Sequence, residues 1–503
     1  MDVLINLAHG FSIALEPMNL LWCFIGVFLG TIVGLLPGLG PSATVALLLP
    51  LATQMSPTSG IIMLAGIYYG AKYGGSTTAI LLNVPGESAS VVTCLDGFEM
   101  ARKGRAGPAL GIAAIASFVA GTIGVLLLML VAPPVAEFAL RFGPPEYFAL
   151  MALGLSMVVL LAGRSMIKAL LSMLVGLWLA TIGIDLFTDG DRFTFNRIEL
   201  VDGVHFVVAA IGLFAIGEVL ANLRPADGAQ QFKVPKGLRN LLPNWQDLKD
   251  CRFAFLNGSL VGFFIGVLPG AGSTIASFVS YGLEKAVSRR REQFGTGVIE
   301  GVAAPEAANN SETGGALVPL LTLGIPGSAT TAILLAAFIL WGMRPGPLLI
   351  QDHPDIFWGL VASMYIGNVM LLVFNLPLVP LFAQILRLPA HILYSGILGI
   401  SIVGVYSVDQ RLFDVWLVAG FGLLGYLMRR LEYPAAPLLL GLVLGELMEN
   451  AVRQSLMMSN GDVSILYSRP LAATMLLFTA AILVGPMFRQ FNTWRLRAAE
   501  QEA

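Results

Sequence analysis

Two short runs carry the chemistry most directly. Pro37-Gly38-Leu39-Gly40 is followed by Ser42 and Thr44, and Pro269-Gly270-Ala271-Gly272 by Ser273 and Thr274. Proline removes a backbone donor and glycine resists helix, so each run breaks the apolar segment that holds it. Past each break a new helix starts, and its free N–H groups and dipole favour an anion. With the hydroxyls beside them, Pro37, Gly38, Gly40, Ser42 and Thr44, and Pro269, Gly270, Gly272, Ser273 and Thr274, read as two halves of an anion cradle. One such run alone would read equally well as a turn with Ser and Thr as N-caps. Two, in a repeated pattern, favour binding.

A second pair of breaks supports this. "YGAKYGGSTTAILLNVPGES" (Tyr69–Ser88) carries Lys72, Ser76, Thr77, Thr78 and Asn83, and "NNSETGGALVPLLTLGIPGSATT" carries Asn309, Asn310, Ser311, Glu312, Thr313 and Ser328. Unwound carbonyls and hydroxyls can hold a sodium ion. Asn83, Asn309, Asn310, Ser311, Glu312, Thr313 and Ser328 are therefore the candidate cation ligands, and Lys72, Ser76 and Thr77 join the candidate substrate ligands. Lys72 and Glu312 fall at equivalent positions, 240 residues apart. A charge inside a membrane segment marks function by default. Lys72 could meet a substrate carboxylate and Glu312 a cation or proton; equally, the two could simply pair. Glu218 and Glu446 read as interfacial or structural, and Glu87 and Asp96 stay open.

The elements that must hold these residues are membrane helices. Of 503 residues, 56% are hydrophobic and 12% charged, against about 25% charged in a soluble domain. Apolar runs such as Pro108–Val135, Tyr147–Ala162 and Leu471–Pro486 recur, and a span needs roughly 20 apolar residues. The expected fold is all-α and polytopic. Three cysteines without ligand-like spacing imply neither disulfides nor a metal site. The first residues lack the basic start of a signal peptide, so the first apolar segment should insert and stay.

Self-similarity organises the chain. Pro37 matches Pro269, Gly74-Gly75 match Gly314-Gly315, "GRAGPAL" matches "GMRPGPLL", and "GEVLAN" matches "GELMEN", all in the same order. The expected divisions are a first repeat (12–222), a basic cytoplasmic linker (223–252), a second repeat (253–451), and a final helix with a cytoplasmic tail (452–503). The offset grows from 232 to 240, an insertion of eight residues around the basic "EKAVSRRREQ". Its counterpart "LATQMSPTSG" has no Lys or Arg, whereas "RKGR" is strongly basic and its counterpart near Arg344 has one charge. The basic bias swaps sides, as two halves inserted in opposite orientations would require.

Linker and "SRRR" then share one side, so the chain between them enters the membrane and returns. Its first arm, Phe253–Leu268, has 16 residues, about 24 Å of helix against a core of about 30 Å. "PGAG" becomes the tip of a re-entrant hairpin, and "PGLG" its counterpart from the other side. Such backbone is tolerated at membrane depth only where it is buried or lines a cavity. Five further crossings (60–83, 108–133, 145–163, 166–186, 203–222) and six more (313–340, 356–382, 391–407, 411–428, 434–450, 468–488) make about 11, with the N-terminus outside and the C-terminus inside. Arg192 and Arg197 fall outside and fit this scheme less well.

Catalytic patterns are missing from the sequence: no His-Glu-x-x-His, Gly-x-Ser-x-Gly or P-loop occurs. Energy must then come from an ion gradient or another subunit. "GLLPGLGPSATVALLLPL", "YYGAKYGGSTTAILLNVPGE", "DGFEMARKGRAGPALGIAAIASFVAGTIG" and "PEAANNSETGGALVPLLTLGIPGSATTAILL" resemble the large membrane subunit of the tripartite tricarboxylate transporters, over about 15–490. The resemblance implies a bacterial inner-membrane permease of elevator-type design, importing citrate-like di- and tricarboxylates, or aromatic carboxylates in some members, on a sodium or proton gradient. It implies a small membrane subunit of about four helices and a periplasmic solute-binding protein as partners, no cofactor beyond the coupling ion, and no nucleic acid; a homo-oligomer is compatible with it. The competing readings are a TRAP-type or stand-alone carboxylate symporter, a passive channel, and an intramembrane enzyme.

Overall fold

The computed structural model describes residues 2–36, 40–161, 165–185, 187–222, 237–382, 384 and 390–484. Pro37 and Gly38, most of the linker and the C-terminal tail lie outside the described residues. The chain is helical, and its helices in order are α1 (Asp2–Ala14), α2 (Pro17–Gly34), α3 (Pro41–Ala52), α4 (Pro57–Leu82), α5 (Val91–Arg102), α6 (Ala106–Ala139), α7 (Pro144–Leu161), α8 (Met166–Leu179), α9 (Phe206–Ala221, with a π-helical stretch at Ile211–Ile216), α10 (Arg252–Val267), α11 (Gly272–Val287), α12 (Glu300–Leu323), α13 (Ala329–Leu340), α14 (Pro354–Asn375), α15 (Ala390–Asp409), α16 (Leu412–Arg430), α17 (Ala435–Met458) and α18 (Pro470–Val484). Short helical turns join some of them. A two-stranded ribbon, β1 (Gly183–Ile184) paired antiparallel with β2 (Asp191–Arg192), is the departure from an all-α chain among the described residues.

Among the described residues six helices (α2, α6, α7, α14, α16 and α17) are long and apolar enough to cross a membrane. The protein is a multi-pass helical membrane protein. The expected crossing 313–340 is not one helix: α12 begins earlier, at Glu300, and ends at Gly324 in a left-handed cap (φ 69°), with Pro326 following and α13 starting at Ala329. The matching break after α4 uses Asn83 (φ 56°) as its left-handed cap.

The helices form two compact units. The first comprises residues 1–140 and 205–431, the second 141–204 and 432–503. In the second, α17 packs against α7 and α8, and Asp185 receives both Arg453 guanidinium nitrogens at 2.7 and 2.8 Å. The guanidinium of Arg453, above all, holds the Asp185 carboxyl well below the usual carboxylate range. Arg192, Glu449 and Arg453 extend this ion network.

In the first unit, α4 and α12 are the inner helices, buried from Ser59 to Leu81 and from Glu300 to Thr322. Each is long enough to cross the membrane, at about 39 and 36 Å, yet each carries polar residues on every side. Their burial is made possible by rows of glycine on the neighbouring arm. Built Cβ atoms at Gly26, Gly30 and Gly34 of α2 would lie 2.3, 2.6 and 2.1 Å from the carbonyl oxygens of Met63, Ile67 and Ala71. At Gly258, Gly262 and Gly266 of α10 they would lie 2.6, 2.3 and 2.5 Å from those of Ala304, Ala308 and Glu312. Without a hydrophobic driving force in lipid, small residues let backbones approach closely. Beside this row, α11 is tied to α12 by Ser277 and Ser280, which donate to the carbonyls of Pro305 (3.2 Å) and Ala304 (2.8 Å).

These contacts also correct the expected alignment. The two glycine rows differ by 232, but the carbonyls they meet differ by 241. Gly74 faces Thr31 and Gly315 faces Phe263, so Gly74 corresponds to Gly315 rather than to Gly314. The Gly-Gly doublet allowed either register in the sequence; the close approach of one glycine decides it. Lys72 and Glu312 are therefore not equivalent positions; in this register Glu312 corresponds to Ala71.

Candidate functional site

The breaks in the first unit meet one another. Gly270 and Gly272 take positive φ (84° and 62°), which only glycine adopts without strain, and Gly270 N–H donates to Gly327 O at 2.8 Å. Pro269 and Ser273 beside them are half-buried. Thr274 donates its hydroxyl to Ser88 at 2.9 Å, joining the α10–α11 break to the one after α4. A Cβ at Gly86 would lie 2.1 Å from Gly34 O, joining that break to the end of α2. Gly40 caps α3 and, like Ser42 in its first turn, is half-buried. Thr44 is buried and donates to Gly40 O within its own helix (3.2 Å). Ser328 N-caps α13 with Thr331 in a capping box, and Glu87 holds the equivalent place with Ser90.

Beneath this layer lies a buried polar cluster. The Lys72 ammonium contacts Glu312 Oε2, with the two side chains 0% and 1% exposed. It also donates to Asn309 O at 2.9 Å and sits 4.7 Å from the centre of the Tyr68 ring. Tyr68 hydroxyl donates to the same Glu312 oxygen at 3.2 Å. Asn309 Nδ2 donates to Glu87 Oε1 at 2.7 Å, which ties the cluster to the break after α4.

One turn away, Glu306 forms a second centre. Its carboxyl receives Ser76 hydroxyl at 2.5 Å, Ser117 hydroxyl at 3.4 Å, and that of Thr93. Asn310 Nδ2 donates to Ser117 Oγ at 2.7 Å and to Glu306 O at 3.1 Å. Thr77 is buried on α4 as well.

Of the sequence-based candidates, Lys72, Glu312 and Asn309 come together, and Ser76 lies with Glu306. Asn309 and Asn310 face different neighbours, as adjacent residues on a helix must. Asn83 is exposed at the end of α4, and Ser328 serves as a cap. Four oxygens of the "NNSET" run are buried without a hydrogen-bond partner: Asn309 Oδ1, Asn310 Oδ1, Ser311 Oγ and Thr313 Oγ1. Glu306, Thr93 and Ser117 escaped sequence reasoning. The signal for Glu306 was an acidic residue in "GVAAPEAANNSE", which lies before the crossing expected over 313–340. Asp96 is a structural clamp: it receives the N–H groups of Gly295, Gly297 and Val298 at 2.7–3.0 Å and the Tyr281 hydroxyl at 2.8 Å. Glu218 pairs with Arg429.

Comparison with known proteins gives a consistent result. A family model described as the tripartite tricarboxylate transporter TctA family matches residues 20–440. An uncharacterized 52.8 kDa protein in the TAR-I ttuC' 3'region of Agrobacterium vitis is 48% identical over 502 residues, covering both chains fully. An uncharacterized protein in the TAR-II ttuC' 3'region of the same organism is 45% identical over 215 residues, 43% of this chain and 89% of the relative. No solved structure matches the chain.

Proposed function

Because the chain belongs to the tripartite tricarboxylate transporter TctA family, we propose that it is the large permease subunit of a binding-protein-dependent secondary transporter. It imports di- or tricarboxylates across the bacterial inner membrane on a sodium or proton gradient. Its partners are a small membrane subunit and a periplasmic solute-binding protein.

The observation that carries this reading is the linking of the chain breaks around a buried charged cluster. Half-buried hydroxyls at helix starts (Ser42, Ser273, Thr274 and Ser328) and the exposed Ser88 offer donors suited to carboxylate oxygens. Behind them Lys72 supplies the buried positive charge. The glycine rows repeated at 232, and their partners at 241, support a duplicated arrangement. With the swapped basic loops, they support two inverted repeats with paired hairpins, about 11 crossings, an elevator-type movement, an outer N-terminus and an inner C-terminus.

The test is citrate uptake by cells that make this chain together with its two partner subunits. Ser42→Ala, Thr44→Ala, Ser273→Ala and Thr274→Ala should each weaken uptake while the folded protein persists; wild-type uptake in all four removes the cradle. Single cysteines at positions 56 and 288 should label from opposite faces of the membrane, and labelling from one face removes the inversion.

A further inference from the structure

We propose that Glu306 binds a monovalent cation, sodium or proton, with Ser76, Thr93 and Ser117 as its oxygen neighbours and Asn310 joining it to a small adjoining cavity. Glu306 is fully buried, and among the described residues no ion pair includes it. The local charges do not balance. Glu87, Glu306 and Glu312 place three carboxyl groups in the core, and Lys72 is the one ammonium among them, engaged by Glu312. The other titratable neighbours of Glu306 are Tyr73 and Cys94, neither of which can supply a positive charge. A buried carboxylate must be paired or neutralised, and three hydroxyls alone do neither.

A second observation marks an unfilled polar space beside this carboxyl. Asn310 and Thr313, 4% and 1% exposed, hold oxygens without hydrogen-bond partners. Together with Tyr73, Gly121 and Asn368 they line a cavity of about 20 Å³, room for a single water or small ion. Asn310 bridges that cavity to Glu306 through Ser117 Oγ. The groups that hydrogen-bond the Glu306 carboxyl are all hard oxygens, which suit sodium or a proton. As a binding site this stands by itself; as the coupling site it rests on the carrier reading above.

The test uses the purified full chain in detergent and follows its thermal unfolding midpoint. One arm replaces choline chloride by sodium chloride at constant ionic strength; the other lowers pH in choline chloride. In wild type the midpoint should rise in one arm, and that arm identifies the ion. Glu306→Gln, which keeps the size and the hydroxyl contacts, should lose the rise. If sodium is the ion, Thr93→Val and Ser117→Ala should keep a saturable rise at about tenfold higher concentration, the effect of one lost hydrogen bond to a charged group; if a proton, the rise should move to higher pH, because each hydroxyl donates to the charged carboxylate. No response of wild type in either arm, or a wild-type response in Glu306→Gln, overturns the proposal. Gradient-driven citrate accumulation that persists in Glu306→Gln overturns it too, and leaves the carrier reading intact. A sodium or proton response without carboxylate uptake overturns the carrier reading alone.

Discussion

Replacing Lys72 by Met tests whether the buried pair holds the core together. The substitution nearly preserves volume but leaves Glu312, 1% exposed, with the Tyr68 hydroxyl at 3.2 Å as its remaining hydrogen-bond donor. Breaking a buried pair by removing one partner costs about 3–5 kcal/mol, mostly from the charge left behind. Glu312→Gln strands the ammonium instead, against Asn309 O and the Tyr68 ring. Removing both charges, as Lys72→Met with Glu312→Leu, should recover most of the loss, because apolar replacement of a whole pair is often neutral or stabilising. The assay is a double-mutant cycle on unfolding in detergent, with Glu312→Leu as the second single variant. A coupling of about 2 kcal/mol or more is expected for residues in direct contact. Single variants that unfold like wild type, or a double variant whose loss is the sum of the singles, would refute the reasoning.

Gly262→Ala places a methyl group 2.3 Å from Ala308 O, and overpacking of about 1–3 kcal/mol should lower the unfolding midpoint; an unchanged midpoint would mean that α10 and α12 separate freely. Gly272→Ala meets open space but keeps φ at 62°, so about 1–2 kcal/mol of backbone strain is expected, read in the same assay. Asp185 has a depressed pKa in the folded state, set first by its Arg453 hydrogen bonds. Its stabilising contribution should therefore be present above about pH 4, the unfolded value, and be lost as pH falls through the folded value. Asp185→Asn should unfold more readily than wild type at pH 7 and converge with it in acid; a constant difference from pH 7 to 3 removes the linkage.

Local breaks were the most legible part of the sequence. Proline and glycine inside apolar runs act on the backbone directly, so the helix expected over Phe253–Leu268 is found at Arg252–Val267, and Asn83 and Gly324 end their helices where the sequence is interrupted. Less legible was anything set by partners distant in the chain. The start of α12 at Glu300 depends on surrounding helices that bury a segment too polar to look like a span, and that hid Glu306. The repeat register depended on which glycine of a doublet lies at a helix interface, which composition does not encode. The pairing of Lys72 with Glu312 was one of two open readings, because the sequence held both charges but not their separation.

The glycine rows have a mechanical consequence. Where two helices meet backbone to backbone, no side chain lies between them that could change rotamer to absorb a displacement. Each glycine sits over one carbonyl of its neighbour, so sliding would drive backbone atoms into one another. The arms α2 and α10 should therefore travel with α4 and α12 as stiff couples, carrying their breaks and the buried charges with them. A movement of the first unit would be taken up at seams built of larger side chains, and a substitution that loosens a glycine row should uncouple hairpin from core before it unfolds either.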